Sequence, residues 1–224
     1  MDMQKLINER HSVRSYKDDK IEGETLEKLT GFIEECNRDS GLNIQLVLNE
    51  PEAFNSGIAH YGKFQNVKNY LVLAGKKSKD LKEKAGYYGE KLVLFAQGLG
   101  LNTCWVALTY SKSKSKGHFK LESGEKVVCV IAIGYGTTQG LPHKNRSVDP
   151  LFKVNGSMPA WFREGVYAAM AAPTAVNQQK FRFTLLDNNK VKAEKTGGFY
   201  SDIDLGIVKY HFELGAGTEN FTFL

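Results

Sequence analysis

Between Leu81 and Leu99, six side chains (Leu81, Ala85, Tyr88, Leu92, Phe95 and Leu99) recur at steps of four, three, four, three and four. Only a helix of 3.6 residues per turn keeps such a set on one face, so the chain must hold a long helix with one buried stripe. The residues beyond this helix constrain its partner. Gly98-Leu99-Gly100-Leu101 offers glycine for a left-handed cap. Thr103 to Leu108 then reads as a strand, and Val127 to Ile133 is a continuous apolar run expected in the centre of a sheet covered on both faces. The chain must therefore pack helices against a sheet.

The remaining elements fill in that scheme. Met3, Leu6 and Ile7 form a short amphipathic helix, and Leu26, Leu29, Ile33 and Cys36 a second one from about Thr25, closed by Ser40-Gly41. Ile44 to Leu48 and Tyr70 to Ala74 read as strands, with Pro51 to Lys63 as a loop between them. Further on, Ser157 is a candidate N-cap with Pro159 just inside a helix that stops at Pro173. Asp187-Asn188-Asn189-Lys190 separates two strand-like runs, Phe181 to Leu186 and Val191 to Lys195, as a hairpin turn does. A last helix from about Ser201 and a closing strand over Asn220 to Leu224 complete the chain. Helices intermixed with an antiparallel hairpin define the expected class as α+β.

Composition excludes several functions. With 224 residues, 42% hydrophobic and 25% charged, the chain reads as one ordinary globular domain. The net charge of +5 is mild and suits anionic small ligands. The basic runs Lys76 to Lys79 and Lys112 to Lys116 carry no interleaved aromatics and read as solvated loops, not a nucleic-acid surface. Cys36, Cys104 and Cys129 are scattered, with no CxxC, which suits a reducing compartment. His60, His118, His143 and His211 have no partners at metal-ligand spacing, so no metal is expected. Met1 to Arg10 is polar and charged, and no apolar run is long enough to span a bilayer. A cytoplasmic protein that contacts neither membrane nor nucleic acid is expected.

Chemistry concentrates in Arg10-His11-Ser12-Val13-Arg14. If the chain is extended there, Arg10, Ser12 and Arg14 project to one side and Val13 to the other. Two guanidinium forks and a hydroxyl on one face form a donor set suited to a dianionic phosphate. No GxGxxG, P-loop lysine, HExxH or GxSxG signature occurs, and no nucleophile–base pair is apparent, so no side chain is assigned as catalytic.

Arg10 to Tyr16 after an N-terminal helix resembles the opening of the FMN-dependent nitroreductase family. Three other segments strengthen the resemblance: Gly98 to Trp105, Gly134-Tyr135-Gly136 with Arg146 downstream, and Pro173-Thr174-Ala175-Val176-Asn177-Gln178-Gln179. The resemblance implies an α+β fold with a mixed, largely antiparallel sheet flanked by helices. It implies FMN as cofactor, held at its phosphate by Arg10, His11 and Ser12 with Lys144 or Arg146. Arg14 would lie near the pyrimidine edge, where a cation stabilises the charge that develops as the ring is reduced. Pro173, Thr174, Asn177 and Gln179 would contribute to the ring edge and ribityl chain, and the backbone N–H groups of Ala107 and Leu108 would face N5. The activity implied is passage of hydride or electrons from NAD(P)H to a nitroaromatic, quinone or similar small acceptor in alternating half-reactions.

Two departures qualify the match. The Pro-Thr-x-x-Asn segment lies far downstream of the arginine motif, and Lys180-Phe181 follows Gln179 where the family has Pro-Trp. This order resembles a branch in which one chain holds two half-like portions, about 1–150 and 151–224, within a single domain of 224 residues. The protein is then expected to be a monomer that mimics a dimer, with about one flavin per chain, or a weak homo-oligomer. The departures leave one alternative: a non-catalytic flavin- or nucleotide-binding module on the same fold.

Overall fold

The computed structural model describes residues 2–55, 57 and 61–224; His60 lies outside the described residues. The chain divides into two compact units, each formed from discontinuous segments: residues 10–81 with 92–141, and residues 1–9 with 82–91 and 142–224.

The first unit is built on an antiparallel sheet of four strands: β1 (Asn43–Val47), β2 (Tyr70–Lys76), β3 (Asn102–Val106) and β4 (Glu125–Gly134), in the order β1-β2-β4-β3. The two interior strands are the two continuous apolar runs. Tyr70 to Ala74 and Cys129 to Ile133 are buried, as strands covered on both faces must be. Alternation along β2 sends Val72 and Ala74 into a core with Val13, Tyr16, Phe54, Phe64, Val67 and Tyr110. Leu71 and Leu73 point to the opposite face. Helix α2 (Gly23–Ser40) buries Leu29, Ile33 and Cys36, and its Phe32 stacks at 4.0 Å on Phe95 of α3 (Leu81–Gly98). Gly41 closes α2 in the left-handed conformation. Past the end of α3, Gly100 takes the positive φ that its cap requires.

The second unit has its own four-stranded sheet, β5 (Phe152–Lys153), β6 (Phe181–Leu185), β7 (Lys190–Lys195) and β8 (Thr222–Phe223), in that order. β6 and β7 form the expected antiparallel hairpin, while β5 on β6 and β8 on β7 are parallel pairs. Asn188 and Asn189 turn the hairpin at φ 56° and 55°, a conformation asparagine adopts more readily than most residues. α1 (Met3–Glu9), the first turns of α3, α5 (Ala160–Met170) and α6 (Ser201–Ala216) belong to this unit. Glycines set how closely these helices pack. A Cβ on Gly206 would overlap the Glu83 carbonyl oxygen, and one on Gly86 that of Ile203, so α3 and α6 meet backbone to backbone. Gly215 allows the same between α6 and α5, where a Cβ would come within 2.6 Å of both Ala168 Cβ and Glu164 O.

Four local expectations are corrected. β3 ends at Val106, so Ala107 and Leu108 lie in the bend after it; Leu108 is 61% exposed and gains nothing from a sheet position. The Lys112–Lys116 run is not all loop: Lys112–Ser115 is a one-turn helix, α4, whose N-cap Ser111 accepts from Lys114 N. Ser157 does not cap α5, which starts at Ala160 after Pro159, a residue in extended conformation. The closing strand shrinks to Thr222–Phe223, because Thr218–Asn220 winds into a single 3-10 turn. Among the described residues no helix is long and apolar enough to cross a membrane, and no group of His, Cys, Asp and Glu could hold a metal ion.

Candidate flavin-binding elements

Within the first unit, the arginine motif lies extended along the outer edge of β3. Ser12 bridges Thr103 in parallel, and Val13 N–H donates to Thr103 O at 3.0 Å. Val13 anchors the strip by burying its side chain, and Tyr16 OH turns back to donate to Val13 O at 2.7 Å. Arg10 is 3% exposed, Ser12 half-buried, and Arg14 exposed. All three side chains act on the buried thiol of Cys104. Burial pushes that thiol up; Arg14, the Ser12 hydroxyl and Arg10, in that order, draw it back down.

Two further segments hold the strip. Gly136 N–H donates to Asn102 Oδ1 at 3.0 Å, and Lys17 N–H to Tyr135 O at 2.8 Å, which seats the Gly134-Tyr135-Gly136 loop beside the motif. A Cβ on Gly140 would come within 2.7 Å of His11 Cβ and 3.1 Å of Ser12 O, so only glycine lets this backbone approach. On the other side Gln65 N–H donates to Arg14 O at 2.8 Å, and Ser15 Oγ donates to Gln65 Oε1 at 3.3 Å. Gln65 also lines a cavity of about 680 Å³ whose wall includes Phe54, Phe64, Lys63 and Asn66. The sequence offered no sign of this strap: a lone glutamine after a loop has no periodicity or motif to mark it.

In the second unit, Lys144, Arg146, Thr174, Asn177 and Gln179 come together. Arg146 N–H donates to Gln179 Oε1 at 2.9 Å, and Asn177 Nδ2 to Lys144 O at 2.7 Å. Gln179 N–H donates to Thr174 Oγ1 at 3.0 Å, and its Nε2 to Met170 O at 3.0 Å. Backbone and amide groups make these contacts, so the Lys144 and Arg146 side chains stay exposed. Pro173 precedes the segment, three residues beyond the end of α5. Val176, Asn177 and Gln179 all have φ near +50° (45°, 54° and 46°), which is costly for a β-branched valine. Asn177 Oδ1 is buried and has no hydrogen-bond partner among the described residues.

Two residues with no sequence assignment hold this strained segment. Asp204, on α6, accepts from Ala175 N–H at 3.0 Å and from Gln178 Nε2 at 2.7 Å. Gln178 Nε2 also donates to Phe199 O at 2.8 Å. Desolvation raises the Asp204 carboxyl to about 6, against the lowering effect of Gln178 and Ala175. The sequence signal was ambiguous, because an aspartate in the first turns of a helix needs no explanation beyond the helix dipole. Tyr87 and Tyr88 pack edge to face in α3, and Tyr87 OH donates to Glu213, so both serve packing.

A family model described as "Putative TM nitroreductase" matches residues 2–216. Among solved structures, the chain is similar to a "putative nitroreductase" from Thermotoga maritima, at 21% identity over 96% of this chain and 83% of that one, with a TM-score of 0.62. It is similar to a "Putative NADH dehydrogenase/NAD(P)H nitroreductase" from Parabacteroides distasonis, at 21% identity over 67% and 96%, TM-score 0.53. It is also similar to a "Nitroreductase Family Protein" from Streptococcus pneumoniae, at 15% identity over 65% and 96%, TM-score 0.52. A search of curated proteins finds no match. At these identities the structural likenesses speak to the fold, an α+β arrangement of largely antiparallel sheets flanked by helices.

Proposed function

The chain belongs to the nitroreductase family described as "Putative TM nitroreductase", and from that premise we propose that it is an FMN-dependent oxidoreductase. Its reductant is NAD(P)H, and its acceptor a nitroaromatic, quinone or similar small molecule. The observation that carries this reading is the donor face of Arg10, Ser12 and Arg14, held extended against β3.

The residues present fit FMN. The buried Arg10 guanidinium and the Ser12 hydroxyl suit the oxygens of a phosphate. The buried Asn177 Oδ1 is an acceptor awaiting an N–H or O–H donor, of which a flavin has both kinds. In the first unit Arg10, His11 and Ser12 are assigned to the FMN phosphate; in the second, Thr174, Asn177 and Gln179 are assigned to ring-edge and ribityl groups, and Lys144 or Arg146 offers a further cation. When bound, FMN supplies reversible hydride transfer, so no side-chain nucleophile is needed. Arg14 offers a permanent cation to negative charge on the pyrimidine edge. The strained 174–179 segment presents its amides in a fixed arrangement, so little ordering is left to bind the ligand. The cysteines form no disulfide and are buried, which suits a reducing compartment and a cytoplasmic enzyme.

A visible absorbance scan of the purified protein, repeated after adding FMN and desalting, tests the reading. A retained flavin spectrum near one per chain, bleached by NAD(P)H and lost in Arg10→Ala, is the expected result. A colourless protein that refuses added FMN would overturn it.

A further inference from the structure

Asp204 is the least explained polar residue near the segment from Thr174 to Gln179. It is 6% exposed, it carries its carboxylate on α6, and it accepts from Ala175 N–H and Gln178 Nε2. No salt bridge to it occurs among the described residues. The segment it grips holds three residues at left-handed φ, including a valine, and its own backbone supplies only two turn hydrogen bonds, Asn177 N–H to Thr174 O and Gln178 N–H to Ala175 O. Strain of this kind persists only where the surroundings impose it. Gln179 imposes part of it through Thr174, Arg146 and Met170, and Asn177 another part through Lys144 O, all toward the C-terminal end of the segment. Asp204 fixes the start of the segment through Ala175 and its middle through Gln178. Gln178 in turn is wedged against Gly198, where any Cβ would overlap its Oε1.

We infer that Asp204 is the positioning residue for flavin binding at this segment: its carboxylate, acting through Ala175 and Gln178, holds Thr174, Asn177 and Gln179 in the arrangement that receives FMN. The inference rests on the FMN reading above. An ionised carboxylate is acceptor-only and can serve both donors at full strength. A protonated one turns one oxygen into a donor and leaves one of the two N–H groups poorly served. The grip should therefore weaken as pH falls through the titration of Asp204, near 6. The charged groups nearby are otherwise engaged. Asp202 on the same helix is held by Lys82 and Lys195, and Glu83 on the facing turn of α3 by Lys209. Lys180 follows the segment, and Thr196 to Tyr200 carries no carboxylate or cation. None of these acts on Asp204, whose titration is set by desolvation, Gln178 and Ala175.

The test compares wild type, Asp204→Asn and Asp202→Asn, all as full chains. FMN dissociation constants are measured by flavin fluorescence at pH 8 and near pH 5, and exchange of the Ala175 amide is followed in flavin-free protein. Titration of the flavin phosphate affects every variant alike and cancels in the ratio to wild type. Loss of one charge-assisted hydrogen bond predicts FMN binding weaker by about tenfold for Asp204→Asn at pH 8, with the ratio approaching one near pH 5. Faster Ala175 exchange at pH 8 should accompany it, and Asp202→Asn should match wild type in both readouts. If Asp204→Asn fails to fold, Gln178→Ala severs the second of its two tethers and is held to the same weakening of FMN binding at pH 8. Wild type that binds FMN with an Asp204→Asn ratio near one at pH 8, or with unchanged Ala175 exchange, would overturn the inference alone. Wild type that binds no FMN would overturn the inference together with the reading it rests on.

Discussion

Replacing His211 with alanine removes an imidazole that no solvent reaches. Its Nδ1–H donates to Ala168 O at 3.1 Å, and its Nε2 lies 2.9 Å from Glu90 Oε1, with both side chains 0% exposed. The substitution leaves the Ala168 carbonyl and the Glu90 carboxyl buried without this partner, and a void where the ring stood. Stranding a buried polar group costs about 1–3 kcal/mol and emptying the space of the ring about as much again, against about 5–15 kcal/mol of total stability for an ordinary domain. At about 2–4 °C per kcal/mol for a chain of this size, a loss near 4 kcal/mol lowers the melting temperature by about 8–16 °C. Thermal melts followed by circular dichroism read this directly. Coupling is also expected: Glu90→Leu combined with His211→Leu should melt closer to wild type than either single change, because no Glu90 carboxyl is then left stranded and the Ala168 carbonyl keeps Ala171 N–H. A His211→Ala melt within about 2 °C of wild type, or simple additivity of the two leucine changes, would refute it.

Gly206→Ala forces a Cβ into the Glu83 carbonyl and should destabilise the chain by about 2–3 kcal/mol, whereas Gly31→Ala, on an exposed face of α2 with open space around it, should stabilise by about 0.5–1 kcal/mol; denaturant titration of both checks the sign. Asp204 makes stability fall with rising pH. Its folded value, about 6, exceeds the ordinary 3.8, so its stabilising contribution is fully present below about pH 4 and is lost as pH rises through 6. At about 1.4 kcal/mol per pH unit that loss amounts to about 3 kcal/mol, and Asp204→Asn should flatten it in melts taken across this range. The charge thus strengthens one local tether while its desolvation costs the whole fold more. Arg14→Ala should lower the flavin midpoint potential measured by reductive titration; an unchanged potential would show that Arg14 does not act on the ring.

Helices and interior strands were legible because their signals are local. The stripe from Leu81 to Leu99 became α3, and the apolar runs at Tyr70 and Val127 became β2 and β4, since period and run length report directly on burial. Boundaries were less legible. Ser157 has the chemistry of an N-cap, but the helix begins after Pro159, whose extended conformation sets the start. The strand after Cys104 stops at Val106, opposite Val130, although β4 itself runs on to Glu125.

The sequence alone determined where donors are concentrated. Alternation within Arg10 to Arg14 forces the two guanidinium groups and the Ser12 hydroxyl to one side once the strip is extended, whatever it packs on. It also determined the α+β class, because propensity and periodicity act over a few residues at a time. Only the tertiary structure decided what holds those donors. Gln65 straps Arg14, Asn102 seats the Gly136 loop, and Asp204 grips Ala175 and Gln178 across a long stretch of sequence. Each is a single polar side chain satisfying a backbone or amide group that is distant in sequence, and such a pairing exists only after the chain has folded.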